Sequence, residues 1–290
     1  MEFSESRAAA DLEWLRRCPD LLCSDAASVL DREIAHPPNW SAVKRFLDTK
    51  AARRVGYYVE SLFQAWLESN PEVSGLEHGI QIRRGKETLG ELDFLFRREG
   101  ELQHLEVALK FYLCYPERAE NGSAFVGPNA SDSFERKRDR LLGKQLPFGK
   151  TFYPEIEKSF HAVKGMIFYH WSRPESPDLP DLLNPAHARG VWLRQREVEA
   201  FLTSWSSEAR ARVLKKPFWL AAGGPERSAD ELREAVQAHF ARWNGPVFFG
   251  LFEGGEERER VFIVPDFWPA KDGRQGEPGT RRKDLSQLAK

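Results

Sequence analysis

Apolar and polar residues alternate most regularly in the segment 102–115. Leu105, Val107, Leu109, Phe111 and Leu113 are apolar, while His104, Glu106, Ala108, Lys110 and Tyr112 between them are mostly polar or reactive. Strand side chains alternate between faces, so this pattern predicts a β-strand with one core face and one chemical face. The segment 91–97 repeats it, with Leu92, Phe94 and Phe96 on one side and Glu91, Asp93 and Arg97 on the other. The pattern breaks only at Arg98-Glu99-Gly100-Glu101. A two-residue loop at Glu99-Gly100, or a four-residue loop over 98–101, gives the same hairpin register. In that register Asp93 lies across from Glu106 on the same face. Facing carboxylates repel, and burial raises the cost. A chain that places them there is expected to put a cation between them, and carboxylate oxygens suit a hard divalent ion such as Mg²⁺ or Mn²⁺. A three- or five-residue loop would shift the register and remove this arrangement.

The remaining elements follow from the same kind of pattern. The stretch 1–34 reads as helical, with Leu12, Leu15, Leu21 and Leu22 as apolar positions, and His36-Pro37-Pro38 breaks it. Ser41 is placed to cap a helix ending near 50. A second helix over 51–68 carries Val55, Val59, Leu62, Phe63 and Trp66 at helical spacing and stops at Asn70-Pro71. Strands are expected near 80–84, 91–97 and 102–115. A loop over 116–129 follows, with Asn121-Gly122 and Gly127-Pro128 as turn signals. A charged helix is predicted at 131–146, where Asp132 and Glu135 resemble a capping box. Beyond it come a strand at 163–171, a Pro/Asp-rich loop at 174–185, a strand at 190–193 and a helix at 197–205. A strand at 217–221, a helix at 229–243 and a hairpin of 246–253 with 258–265 complete the order. The Gly-, Lys- and Arg-rich tail is expected to be disordered. There is no internal repeat.

The order helix–three strands–helix–strand over 51–171 predicts an α/β unit with helices on both faces of a sheet. We therefore divide the chain into an N-terminal helical segment (1–50), a core (51–171), a C-terminal α/β extension (186–268) that continues the sheet or packs on the core, and a tail (269–290).

Bulk properties narrow the function classes. The length of 290 residues allows one large domain or two small ones, and 41% hydrophobic residues suffice for a packed core. A formal net charge of −1 argues against strong global attraction to nucleic acid, so any basic surface must be local. The three cysteines, Cys18, Cys23 and Cys114, make no disulfide framework, and Cys18 and Cys23 lack partner ligands for zinc. No signal peptide or long apolar span is present, so a cytoplasmic protein with no membrane partner is expected. The nine Trp and twenty Phe are expected mainly in core packing.

An acidic helix, an Asp strand, a Glu strand and a nearby Lys resemble the PD-(D/E)XK nuclease superfamily over 51–171. More of the chain resembles the bacterial DUF1853 family, through GYYVESLFQAWL (56–67), ELDFLF (91–96), HLEVALKFYL (104–113) and GPNASDSFERKRDRLLGKQLPF (127–148). The resemblance implies a restriction-endonuclease-like core in which Asp93 and Glu106 match the motif acids and Glu60 the acidic position on the first helix. It also implies that these three hold one or two Mg²⁺ or Mn²⁺ ions, and that a lysine orients or activates the attacking water. The chain departs from the Glu-x-Lys pattern, because position 108 is Ala108. Lys110 is on the correct face, but about 13 Å from Glu106 along an ideal strand. Lys137, Leu141 and Gln145 form a stripe on the following helix, so Lys137 or Gln145 is the rival source of that side chain.

Each of these residues has an ordinary alternative. Asp93 and Glu106 could be solvated carboxylates on an open sheet face, and Glu60 a helix-boundary charge. Lys110, Lys137 and Gln145 could be surface side chains, and His104 a satisfied polar residue. Lys50, Arg53 and Arg54 are expected to be solvated. The favoured expectation is a metal-dependent nuclease, with DNA preferred over RNA as partner. The first rival is a nuclease-fold module that binds nucleic acid or protein without catalysis, suggested by Ala108. The second is an interaction protein that presents Trp192, Trp205, Trp219, Trp243 and Trp268.

Overall fold

The computed structural model describes residues 3–23, 38–49, 54–117, 123–174 and 178–270. The expected helix through 34, the turn at Asn121-Gly122, the cations Lys50 and Arg53, and the tail beyond 270 lie wholly or partly outside the described residues.

The first part of the chain forms α1 (Glu5–Arg17), α2 (Ser41–Leu47) and α3 (Val55–Glu68), then three antiparallel strands. These are β1 (Val73–Arg84), β2 (Glu87–Arg98) and β3 (Glu101–Cys114). Short β4 (Phe125–Val126) pairs with the end of β3. A long helical stretch follows, made of α4 (Phe134–Arg140), a π-turn (Leu141–Gln145) and α5 (Leu146–Phe152). It returns the chain to β5 (Lys158–His170), which runs parallel to β3. Later come β6 (Ala188–Arg194), a 3₁₀ turn (Gln195–Glu197), α6 (Val198–Thr203), β7 (Arg210–Val213), β8 (Glu226–Arg227), α7 (Ala229–Phe240), β9 (Val247–Glu253) and β10 (Glu256–Val264).

All ten strands belong to one mixed sheet in the order β1-β2-β3-β5-β6-β10-β9-β7-β8, with β4 beside β3. The segment 186–268 therefore continues the sheet. The central strands β3, β5, β6 and β10 are parallel, and the two ends of the sheet are antiparallel. Parallel strands are normally buried on both faces. On β3, Leu105 and Val107 pack against α1–α3, and Phe111 and Leu113 join a cluster with Phe168, Phe248 and Phe262. On the opposite face, Tyr112 and Cys114 pack with Leu21, Leu22, Phe134 and Leu141. The expected chemical face is thus covered: Glu106 is 1% exposed and His104 0%.

Several elements differ from expectation. β1 begins at Val73, seven residues early; Gly75 (φ +59°) lies in a register shift between Ser74 and Glu77, and a second shift falls between Ile82 and Arg83, which the sequence pattern reads as breaks. The capping box at Asp132 does not form. Ser133 caps α4 by accepting from Arg136 N at 3.4 Å, and Asp132 turns to Lys110 and to Ser133 N. The predicted strand 217–221 is a loop. Its apolar side chains Trp219 and Leu220 are buried, which explains the strand-like pattern. Trp192, Trp219 and Trp268 are core residues, leaving Trp243 as the exposed one at 67%. The described cysteines are free. No helix among the described residues is long and apolar enough to cross a membrane.

The 217–221 loop is held by Asp11, which is fully buried. Its carboxyl accepts from Tyr58 Oη at 2.7 Å, from Ala221 N at 2.7 Å and from Arg7 Nε at 2.9 Å, joining α1, α3 and the loop. Removing one member of a buried polar network strands the others. Asp11→Ala is expected to cost about 3 kcal/mol in urea unfolding, and Asp11→Asn, which keeps a carbonyl acceptor, about half of that.

Candidate functional site

The hairpin turn sets the site. Arg98 pairs with Glu101, so the loop is the two residues Glu99 and Gly100, both at positive φ (57° and 84°). That geometry matches the right-handed twist of the flanking strands. Pairing then runs Arg97↔Leu102, Phe96↔Gln103, Leu95↔His104 and Phe94↔Leu105. One step further the register would set Asp93 opposite Glu106, and there the backbone ladder gives way, with Asp93 still close enough to feel the charge of Glu106. The Val107 N–H is bonded instead by Asp93 Oδ2 at 2.9 Å. The expected opposition of Asp93 and Glu106 therefore sits where β2 and β3 part.

The helical stretch 134–152 covers this face. In an ideal helix two residues eight apart are offset by about 80°. The π-turn inserts one extra residue, with Leu146 N–H reaching back to Leu141 O, and brings Gln145 under Lys137. Lys137 Nζ donates to Gln145 Oε1 at 3.0 Å, and Gln145 Nε2 donates to Glu106 Oε2. His104 Nε2 lies 3.1 Å from Glu106 Oε1. A continuous chain Lys137–Gln145–Glu106–His104 results, with both oxygens of Glu106 engaged. His104 is held from its other side by α5: a Cβ on Gly149 would lie 2.5 Å from His104 Nδ1, so only glycine fits there. That Nδ1 is itself buried with no hydrogen-bond partner.

Glu60 is half-buried on α3. Burial, then the charges of Glu91 and Glu106, push its carboxyl up to about 7. Asp93 is raised far above the carboxylate range by burial and then by Glu106, against the Val107 hydrogen bond that lowers it. Lys137 is lowered by burial and by Lys110, while Glu106 and Asp93 pull it up. Three of the expected side chains, Glu60, Asp93 and Glu106, are thus near enough to feel one another's charge. Lys137 and Gln145 join them. Lys110 instead makes a 2.5 Å ion pair with Asp132 and acts on Lys137 at a distance.

The strand pattern put Glu91 on the Asp93 face without a role and gave no sign of His161. Glu91 adds negative charge beside Glu60. His161 pairs across the ladder with Glu106, and its Nδ1 is buried without a hydrogen-bond partner. His161 lies in the first turns of β5, ahead of the predicted strand, so no register linked it to Glu106. A third missed feature, the π-turn, had no signal beyond Gly143 and Pro147.

The donor set is one of hard carboxylate oxygens, which suits Mg²⁺ or Mn²⁺. In the present arrangement those oxygens face protein donors, and among the described residues no three His, Cys, Asp or Glu side chains converge to hold an ion. Asp93 Oδ1 and the second lone pairs of the Glu106 oxygens remain available as donors to an ion, beside the hydrogen bonds from Val107, Gln145 and His104.

A carboxyl whose pKa is raised on folding binds more protons in the native state, so stability is lost as pH rises through that range. In metal-free buffer, unfolding free energy is expected to fall by on the order of 2 kcal/mol between about pH 5 and 8. Glu60→Gln should flatten that dependence, as read from urea melts at each pH.

Compared with known proteins, the chain matches no curated protein and no solved structure. One family model, described as a domain of unknown function, DUF1853, matches residues 10–264. That match takes in the sheet, the hairpin and the covering helix, and the chain belongs to the DUF1853 family.

Proposed function

We propose that the chain is a divalent-metal-dependent nuclease of the PD-(D/E)XK type, acting on DNA in preference to RNA. The observation that carries this reading is the meeting of Asp93 and Glu106 where β2 and β3 part, with Lys137 tied to Glu106 through Gln145. The element order α3-β1-β2-β3-α4-β5 is consistent with a restriction-endonuclease-like core.

On this reading Asp93 and Glu106, with Glu60 beside them, hold Mg²⁺ or Mn²⁺. A bound ion supplies an acidified water and neutralises charge growing on the phosphate. Lys137 takes the place left by Ala108. Its amine, bonded to Gln145, feels the charge of Glu106 and Asp93 from the covering helix, and burial lowers its proton affinity, which suits it to orient or deprotonate a water. Gln145 fixes that amine against Glu106. Lys110, paired with Asp132, steadies the start of α4 and contributes positive potential behind Lys137.

A second reading, a nuclease-fold module that binds nucleic acid or a protein without cleaving, is favoured by one observation. Both oxygens of Glu106 and one of Asp93 are already engaged by protein donors.

A hydrolysis assay with Mg²⁺ or Mn²⁺ separates the two. Linear, nicked and single-stranded DNA and RNA serve as substrates for wild type, Asp93→Asn, Glu106→Gln and Lys137→Met. The nuclease reading expects metal-dependent cleavage that drops ~100-fold or more in each variant. Binding without cleavage of any form would leave the silent-module reading.

A further inference from the structure

β1 and β2 pair from Val73↔Arg98 to Arg84↔Glu87, with register shifts at Ser74/Glu77 and Ile82/Arg83, whereas β3 pairs with β2 only over Phe94–Arg98. The part from Ile80↔Leu92 to the tip is therefore a two-stranded ribbon that projects past the third strand. It spans about 16 Å at strand rise. The base is seated: Ile80 packs on the cluster of Leu95, Leu102 and Ile156, and a Cβ on Gly90 would lie 2.7 Å from the Phe148 ring. The tip is not covered. Residues 83–89 include Arg83, Arg84 and Lys86, all exposed, with Glu87 as the one acid. Among the described residues Arg84 and Lys86 make no ion pair, and Arg83 bonds only Gln81, at 2.6 Å.

Two features fit a nucleic-acid duplex. Successive strand residues point to opposite faces, so Arg83 and Arg84 place cations on both sides of the ribbon. A DNA major groove, about 12 Å wide, admits a two-stranded ribbon and has a phosphate chain on each wall. The ribbon also starts at the carboxylates, because Glu91 and Asp93 lie on β2 at its base. From Asp93 to Lys86 is seven residues, roughly 23 Å of strand, or about six to seven base-pair steps at 3.4 Å.

We propose that the β1–β2 arm is a duplex-gripping element that enters the major groove about six base pairs from the carboxylates Asp93 and Glu106. The inference rests on the nuclease reading for what lies at its base. The arm's own contacts need no metal.

The test is fluorescence anisotropy in EDTA, with a labelled 30-base-pair DNA duplex and the matching single strand. Wild type is compared with the Arg83→Glu/Arg84→Glu/Lys86→Glu triple variant and with its all-Gln counterpart. Circular dichroism and light scattering are run on each. The arm predicts tighter binding of duplex than of single strand by wild type. It also predicts about tenfold or greater loss of duplex affinity on charge reversal, with a smaller loss for the Gln variant. The slope of log affinity against log salt should fall by about 2–3. The exposed positions predict unchanged circular dichroism. Equal duplex binding by wild type and the charge-reversed variant, no duplex binding at all, or a preference for single strand overturns the proposal. So does a change confined to the oligomeric state, which would make the arm a contact between copies of this chain. Arm-dependent duplex binding without hydrolysis under Mg²⁺ would instead sink the nuclease reading and leave the arm standing.

Discussion

The register of the β2–β3 hairpin is the constraint on which the site depends. Two residues with positive φ, Glu99 and Gly100, close the turn, and every pairing back to Phe94↔Leu105 follows from that closure. A slip of one residue would turn Asp93 toward the opposite face and away from Glu106. The same slip would bring Phe94 and Phe96 out of the core cluster against α3. Core packing and carboxylate placement therefore enforce a single register. The energetic strain of two facing acids is carried by hydrophobic burial on the reverse side of the same strands.

What covers those acids is equally specific. Proline inside a helix normally clashes with the carbonyl four residues back. Here the π-turn at Leu141–Gln145 lies directly ahead of Pro147, and the helical stretch continues through α5. One local irregularity thus lets the helix run on to Gly149, which accepts the His104 ring, and rotates Gln145 toward Glu106. π-turns within α-helices occur often at functional sites.

The parts legible in the sequence are those with strict period or strong punctuation. β2, β3, α3 and the β9–β10 hairpin have clean alternation or helical spacing, and the candidate pairing of Asp93 with Glu106 followed from the turn alone. The stripe Lys137, Leu141, Gln145 was also visible, although its geometry comes from the π-turn. The parts that were hidden have tertiary causes. The long β1 is largely exposed and has two register shifts, so it has no period. The loop 217–221 is apolar because Asp11 and Arg7 hold its backbone while Trp219 and Leu220 fill the core. Burial of both faces of β3 was not readable either, because the polar side chains His104, Glu106 and Lys110 suggested an open face. His104 and Glu106 are buried because they bond to one another and to the covering helix, whereas Lys110 stays partly exposed and pairs with Asp132.

The central claim is that Asp93 and Glu106 together form one divalent-cation site. Titrating Mn²⁺ into the full chain while following the free-ion signal by electron paramagnetic resonance addresses it without any assumption about substrate. The account predicts that wild type depletes free Mn²⁺ in stoichiometric amount, and that Asp93→Asn and Glu106→Gln each abolish the depletion while remaining folded. Depletion of equal size in all three proteins, or none in wild type, would contradict it.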